Sequence, residues 1–245
     1  MFKKYWKFFV IFWSVVLVGI IGVFVFFWLI SAGKLGFMPT FEELENPNNR
    51  FASEVYFADG PIMNRYFEKE NRKYIEYREI PQSVIDALIA TEDVRFYDHS
   101  GVDVRGLFRV AKGLLTANTS AGGGSTISQQ LAKMLFPRES DLNVFELAIR
   151  KFREWVIAVR LEKSYTKEEI LTMYLNKYDF LNLAVGISSA ADIYFQVPLD
   201  SLKVEQAAML IGMAKNSSYY NPVRRPELTL NRRNVVLSQM YKYDK

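Results

Sequence analysis

The chain has no cysteine in its 245 residues, so a disulfide framework and a thiolate metal site are excluded. A single histidine, His99, argues against a histidine-built zinc site and against a Ser-His-Asp triad. Excess charge of one sign is also scarce. The net charge is +4, and Lys3, Lys4 and Lys7 lie together ahead of the first apolar run. The remainder is near neutral, which gives no case for nucleic-acid binding. There is no internal repeat and no low-complexity tract. The glycine cluster ending at Gly124 is not followed by Gly-Lys-Ser/Thr, so a Walker phosphate loop is absent.

What the chain does have is one long run without charge, Phe8 to Ile30. As a helix it spans about 34 Å, enough for a hydrocarbon core of roughly 30 Å. A signal peptide has a shorter apolar core, and Ser31-Ala32-Gly33 is a weak cleavage site, so a retained anchor is expected. The three lysines on the short side put the N-terminus in the cytoplasm and the rest beyond the membrane. The expected division is a tail at 1–7, an anchor at 8–30, a linker at 31–50 and a domain at 51–245. With half of the residues apolar, that length supports one domain with its own core.

Two extended runs, Glu54 to Phe57 and Ile62 to Phe67, flank Asp59-Gly60 and predict a β-hairpin; Lys73 to Tyr77 is a candidate third strand. After Pro81 the pattern is helical. Arg105, Arg109 and Lys112 fall on one face of a helix over Val102 to Leu115. Thr116 to Gly124 reads as a mobile glycine-rich loop, and Ser125 as the N-cap of the next helix. A long helix from about Leu142 to Lys163 carries an apolar stripe of Phe145, Ala148, Phe152, Trp155, Val156 and Val159. Arg150, Lys151 and Glu154 share another face, either as a plain surface ion pair or as a carboxylate kept ionised by two cations. Thr166 to Glu169 is a capping box, and further helices are expected over Val185 to Tyr194, Leu202 to Met213 and Glu227 to Met240.

The densest chemistry lies in Ala90 to Gly101, which holds Glu92, Asp93, Arg95, two aromatics and His99. Val84, Ile85, Leu88 and Ile89 lead into it as an apolar helix, so Glu92 sits at a helix end where the chain turns. Arg95, three residues on, is the nearest cation along the chain.

Five motifs in order resemble the peptidoglycan glycosyltransferase family, the lysozyme-like domain of class A penicillin-binding proteins and their monofunctional relatives. They are Glu92-Asp93-x-x-Phe96-x-x-His99-x-Gly101; Gly124-Ser125-Thr126-Ile127-Ser128-Gln129-Gln130-Leu131-x-Lys133; Arg150-Lys151-x-x-Glu154, continuing to Leu161-Glu162; Lys167 through Ile170-Leu171 to Tyr174-Leu175-Asn176; and Arg232-Arg233-x-x-Val236-Leu237. The resemblance covers roughly Glu54 to Met240, with Ser128 where threonine is usual. It implies a mainly α, lysozyme-like glycosyltransferase domain with a small N-terminal β-hairpin, preceded by one transmembrane helix.

By that resemblance Glu92 is the catalytic base and Glu154 the second essential carboxylate. Glu154 would assist the leaving group or place a divalent metal, Mg²⁺ or Mn²⁺, near a pyrophosphate. Arg109, Ser125, Gln129, Gln130, Lys133, Arg138, Arg150 and Lys151 would bind substrate, and His99 would be structural. The implied partners are lipid II, the lipid-linked glycan chain and the bilayer, with part of the set Leu107, Phe108, Leu114 and Leu115 in contact with the membrane. Ser31 to Lys34 fits Ser-x-x-Lys, but neither partner motif of a transpeptidase exists in this chain. A C-terminal transpeptidase domain in a longer bifunctional protein is therefore expected. Two rivals stay open: a lysozyme-like muramidase or lytic transglycosylase, and a non-catalytic cell-wall assembly protein. The topology is testable at once. Protease added to intact spheroplasts is expected to degrade everything beyond the anchor; full protection contradicts the lysine-based orientation.

Overall fold

The computed structural model describes residues 2–40, 53–56, 62–66, 71–116, 123–135 and 143–245. The first element, α1 (Phe2–Ser31), includes 27 residues from Tyr5 to Ser31 that are long and apolar enough to cross a membrane. Its described side chains are exposed over most of its length, and Ile30 near its end is buried. Such an apolar exterior suits a hydrocarbon solvent.

Two short strands follow, β1 (Ser53–Tyr56) and β2 (Ile62–Tyr66). They pair antiparallel, with Ser53 opposite Tyr66 and Val55 opposite Asn64. The turn expected at Asp59-Gly60 lies outside the described residues. The next strand is not at Lys73 to Tyr77. Strand β3 is Asn71–Arg72, and it pairs in parallel with β4 (Ala184–Val185). The residues after β3 leave the ladder because side chains take their backbone groups. Asn176 brackets Ile75, accepting from its N–H at 3.0 Å and donating to its C=O at 2.8 Å, and the Lys73 N–H donates to Ser189 Oγ at 3.3 Å. Parallel pairing of segments more than a hundred residues apart has no local signal.

The rest is helical. Helix α2 (Gln82–Glu92) begins after Pro81 and holds no internal glycine or proline. Val84, Ile85, Ala87, Leu88, Ile89 and Ala90 are all buried, so α2 is covered on nearly every side. Helix α3 (Val104–Leu115) is more exposed. Helix α4 (Ile127–Leu135) packs on α5 (Val144–Ser164) and α6 (Lys167–Lys177). Reciprocal capping boxes start two of these, Asn143 with Glu146 on α5 and Thr166 with Glu169 on α6. Helix α7 (Ile187–Phe195) follows β4. Helices α8 (Val204–Met213) and α9 (Pro226–Lys242) pack on each other and on α2. The core thus has two halves, α2/α8/α9 and α4/α5/α6, and the C-terminal end of α2 lies at their seam.

The stripe expected on α5 does not face this core. The buried residues of α5 are Arg153, Ile157, Ala158 and Leu161. Phe145 is 71% exposed, while Phe152 packs edge-on against Phe26 and Phe27 of α1. The apolar side chains of this helix serve two surfaces, and periodicity alone cannot say which is the core.

Gly101 has φ +93° and lies against the α5 backbone. A Cβ there would be 2.7 Å from the carbonyl carbon of Ala158. Left-handed backbone strain alone costs a non-glycine residue about 1–3 kcal/mol, and the neighbouring atoms are backbone that cannot rotate away. Gly101→Ala is therefore expected to lower unfolding stability by more than about 2 kcal/mol, measured by urea denaturation; an unchanged midpoint contradicts the close approach.

Candidate active site

Helix α2 stops at Glu92 because Asp93, with φ −157°, turns the chain out of the helix. The two adjacent carboxylates then point to different partners. Glu92 Oε2 accepts from Gln130 Nε2 at 2.9 Å, and Oε1 accepts from Arg232 Nη2 at 3.2 Å. The carboxylate thus joins α2 to α4 and to α9, with its side chain 13% exposed. Gln130 is itself oriented: Tyr174 O–H donates to its Oε1 at 3.0 Å, which turns its amide nitrogen toward Glu92. Burial, and secondly the charge of Glu92, push the Tyr174 hydroxyl well above its ordinary pKa, so it stays a donor.

Asp93 builds the frame behind Glu92. It accepts from the backbone N–H of Ile127 at 3.1 Å, at the first residue of α4. It also accepts from His99 Nε2, at 3.0 and 3.1 Å. The Gly101 N–H donates to His99 Nδ1 at 3.2 Å, so the ring proton sits on Nε2. Lys167 donates to the His99 carbonyl at 2.7 Å and pairs with Glu162 at 2.7 Å, and Ser128 donates to Glu162. Gln129 Nε2 and Thr126 Oγ1 both donate to the Gly101 carbonyl, at 3.3 and 2.7 Å. His99 is thereby a structural hydrogen-bonding group. Arg95, expected beside Glu92, instead pairs with Asp103. Burial raises the Asp103 carboxyl, but the Arg95 guanidinium and the Gly106 N–H outweigh it and hold the pKa below the usual carboxylate range.

A second cluster forms on α5. Lys151 Nζ donates to Glu154 Oε2 at 3.0 Å, to Ser125 Oγ at 2.9 Å and to Gln129 Oε1 at 3.3 Å. Lys133 Nζ lies 3.8 Å from the same Glu154 oxygen. The two cations on Glu154 are therefore Lys151 and Lys133. Arg150 forms no ion pair among the described residues. Glu154 offers a divalent ion one carboxylate already facing two ammonium groups. Among the described residues no three carboxylates or histidines converge. A divalent ion there would take one carboxylate from Glu154 and its other ligands from substrate phosphates and water, as Mg²⁺ commonly does.

A cleft of about 490 Å³ is lined by Glu92, Arg109, Gly124, Ser125, Gln130 and Arg232, together with Lys215 and Lys242. Of the expected residues, Glu92, Arg109, Ser125 and Gln130 meet in this cleft. Glu154, Lys133 and Lys151 form the neighbouring cluster, joined to it through Ser125. Gln129 is fully buried and braces the wall rather than lining it. Arg138 and most of the Thr116 to Gly124 loop lie outside the described residues. Arg232, Tyr174 and Lys215 were missed as site residues. The Arg232-Arg233 pair and Tyr174 lay in the quoted motifs, but that signal did not say which group either would meet.

A match to the family described as Transglycosylase covers residues 59–241. Penicillin-binding protein 1A of Escherichia coli (strain K12) is 38% identical over 203 residues, 83% of this chain and 23% of that protein. Penicillin-binding protein 1A of Pseudomonas aeruginosa is 38% identical over 205 residues, 84% of this chain and 24% of that protein. The chain thus spans about a quarter of the length of the curated relatives it matches. The crystal structure of penicillin-binding protein 1A from Haemophilus influenzae is similar with a TM-score of 0.41 and 22% identity, over 80% of this chain and 20% of that chain.

Arg232 and Glu92 are 11% and 13% exposed, so neither is well solvated without the other. Removing one partner of a buried pair strands the other, which costs about 3–5 kcal/mol. Arg232→Met is expected to destabilise the fold by about 3 kcal/mol, and Glu92→Gln added to it should recover most of the loss. Equal stabilities for the parent and Arg232→Met in urea would mean that the pair is solvent-screened.

Proposed function

The chain belongs to the transglycosylase family, and from that premise we propose that it polymerises lipid II into linear glycan strands of peptidoglycan. The acceptor sugar's 4-hydroxyl attacks the anomeric carbon of the lipid-linked chain. The bond to pyrophosphate breaks, undecaprenyl pyrophosphate leaves, and the linkage inverts from α to β. The observation that carries this reading is the pairing of one cleft carboxylate, Glu92, with a separate lysine–carboxylate cluster one serine away.

Glu92 takes the proton of the attacking hydroxyl. Gln130 and Arg232 each occupy one of its oxygens and leave lone pairs for that hydroxyl. They also hold the carboxylate at a set angle, so little reorientation is needed at the transition state. Negative charge develops on the departing pyrophosphate, and Lys151, Lys133 and Arg109 supply positive charge where it appears. Glu154 keeps both lysine ammonium groups in place between turnovers. These steps use only the chain's own groups. A hydrolase of lysozyme type would need no such cations, so the cluster favours transfer over hydrolysis.

The substrate is membrane-borne in this reading, and several apolar side chains support it. Phe108 is 73% exposed, Leu115 89% and Val144 84%. Exposed apolar surface of this kind marks a membrane or protein contact. The anchor is oriented with its N-terminus in the cytoplasm, and the domain works on the outer face. A transpeptidase domain in the longer protein is part of the same proposal.

Glu92→Gln keeps the hydrogen-bonding shape and removes the base. Polymer formation from lipid II should fall by at least about 10²-fold, with the circular dichroism spectrum unchanged. Binding of a phosphoglycolipid that mimics the donor should survive, because its phosphate is held by the cations. Polymer of near-parental yield, sized on a gel, would overturn Glu92 as base and move the test to Glu154.

A further inference from the structure

The last turn of α1 is fastened to the domain. Phe26 and Phe27 meet Phe152 edge-on, with centroids 5.3 and 5.7 Å apart, and Phe152 meets Trp155 at 5.2 Å. Ile30 is fully buried. Further along α5, Arg160 reaches back to the end of the anchor. Its Nη2 donates to Ser31 O at 2.8 Å and to Ser31 Oγ at 2.7 Å, and its Nη1 donates to Pro39 O at 3.1 Å. The Arg153 guanidinium lies over Gly36, in the space a Cβ would need.

The Ser31 carbonyl is among the last four that a helix cannot satisfy within itself, and it lies at the negative end of the dipole. A guanidinium is suited to that place because its rigid fork reaches several acceptors at once. Here it ties together both sides of the bend that follows the anchor. Helix α5 is continuous from Val144 to Ser164. Lys151 and Glu154 on it serve the cleft, while Phe152, Arg153 and Arg160 serve the anchor. Glu154 and Arg160 are about 9 Å apart along the axis, a span over which a packed helix is stiff. Whatever sets the height of the anchor therefore sets the height of Glu154.

We propose that Arg160 is a positioning residue that latches the membrane anchor to α5 and so holds the Glu154–Lys151 cluster at a set height over the bilayer, level with the pyrophosphate of a lipid-linked donor. This rests on the glycosyltransferase reading above. The anchor is then a rigid part of the site, and Phe152, backed by Trp155, is its seat.

The absence of native cysteine allows a direct test. Spin labels are placed at Phe24→Cys and Lys163→Cys, both exposed, in the full chain in vesicles. The parent should give one narrow distance distribution, and Arg160→Met should broaden it. In parallel, kcat/KM is measured for lipid II in vesicles and for a water-soluble analogue with a short prenyl chain. Arg160→Met should lower the first by about 10- to 10²-fold, mainly through KM, and leave the second unchanged; Arg160→Lys should restore part of the loss. A distribution that stays narrow, an unchanged rate in vesicles, or an equal loss on both substrates overturns the proposal. If the parent makes no polymer from either substrate, the glycosyltransferase reading falls. The distances then decide the latch alone, broadening supporting it and a narrow distribution refuting it.

Discussion

Two neighbouring carboxylates at one helix end govern this structure. Glu92 points forward to Gln130 and Arg232, and Asp93 points back to His99 and the start of α4. A buried carboxylate without partners is expensive, so each must find its donors. In doing so the pair draws α4, α9 and the Gly101 turn onto the end of α2. The seam between the two halves of the core is closed by polar groups, and the cleft opens where those groups meet solvent.

Around that seam the polar residues form a frame that allows little rearrangement. Tyr174 orients Gln130, Gly101 sets the His99 tautomer, and Lys167 and Ser128 share Glu162. Every member is both held and holding, which is how a buried network specifies a single geometry. Gly101 completes it by letting the turn pass against the α5 backbone, where no side chain fits. Helix α5 carries a different load on each face: core contacts at Ile157 and Leu161, cleft groups at Lys151 and Glu154, and the anchor at Phe152 and Arg160.

Much of this was legible in the sequence. The anchor, the helices after Pro81 and the capping box at Thr166 follow from local patterns of charge, periodicity and hydrogen-bonding residues. Glu92 at a helix end and Lys151 beside Glu154 could be read in the same way. The misreadings share one cause. Arg95, three residues from Glu92, was the nearest cation along the chain, yet its guanidinium reaches Asp103. Arg150 and Lys151 are adjacent, but Lys151 is the one that pairs with Glu154, where Lys133 joins it from α4. Phe152 packs on the anchor while Phe145 is exposed, and hydrophobicity alone does not name a partner.

The sequence by itself determined most of the helices, the membrane-length run and the order of the five motifs. Those depend on interactions within a few residues, which a linear reading contains. Only the tertiary structure decided which cation meets which carboxylate, which apolar face is core and which strands pair. Arg232 comes to Glu92 across 140 residues, Asn176 to Ile75 across 101, and Arg160 to Ser31 across 129. Such contacts are chosen by packing, because the helices must first bury their apolar faces before any side chain learns what lies opposite.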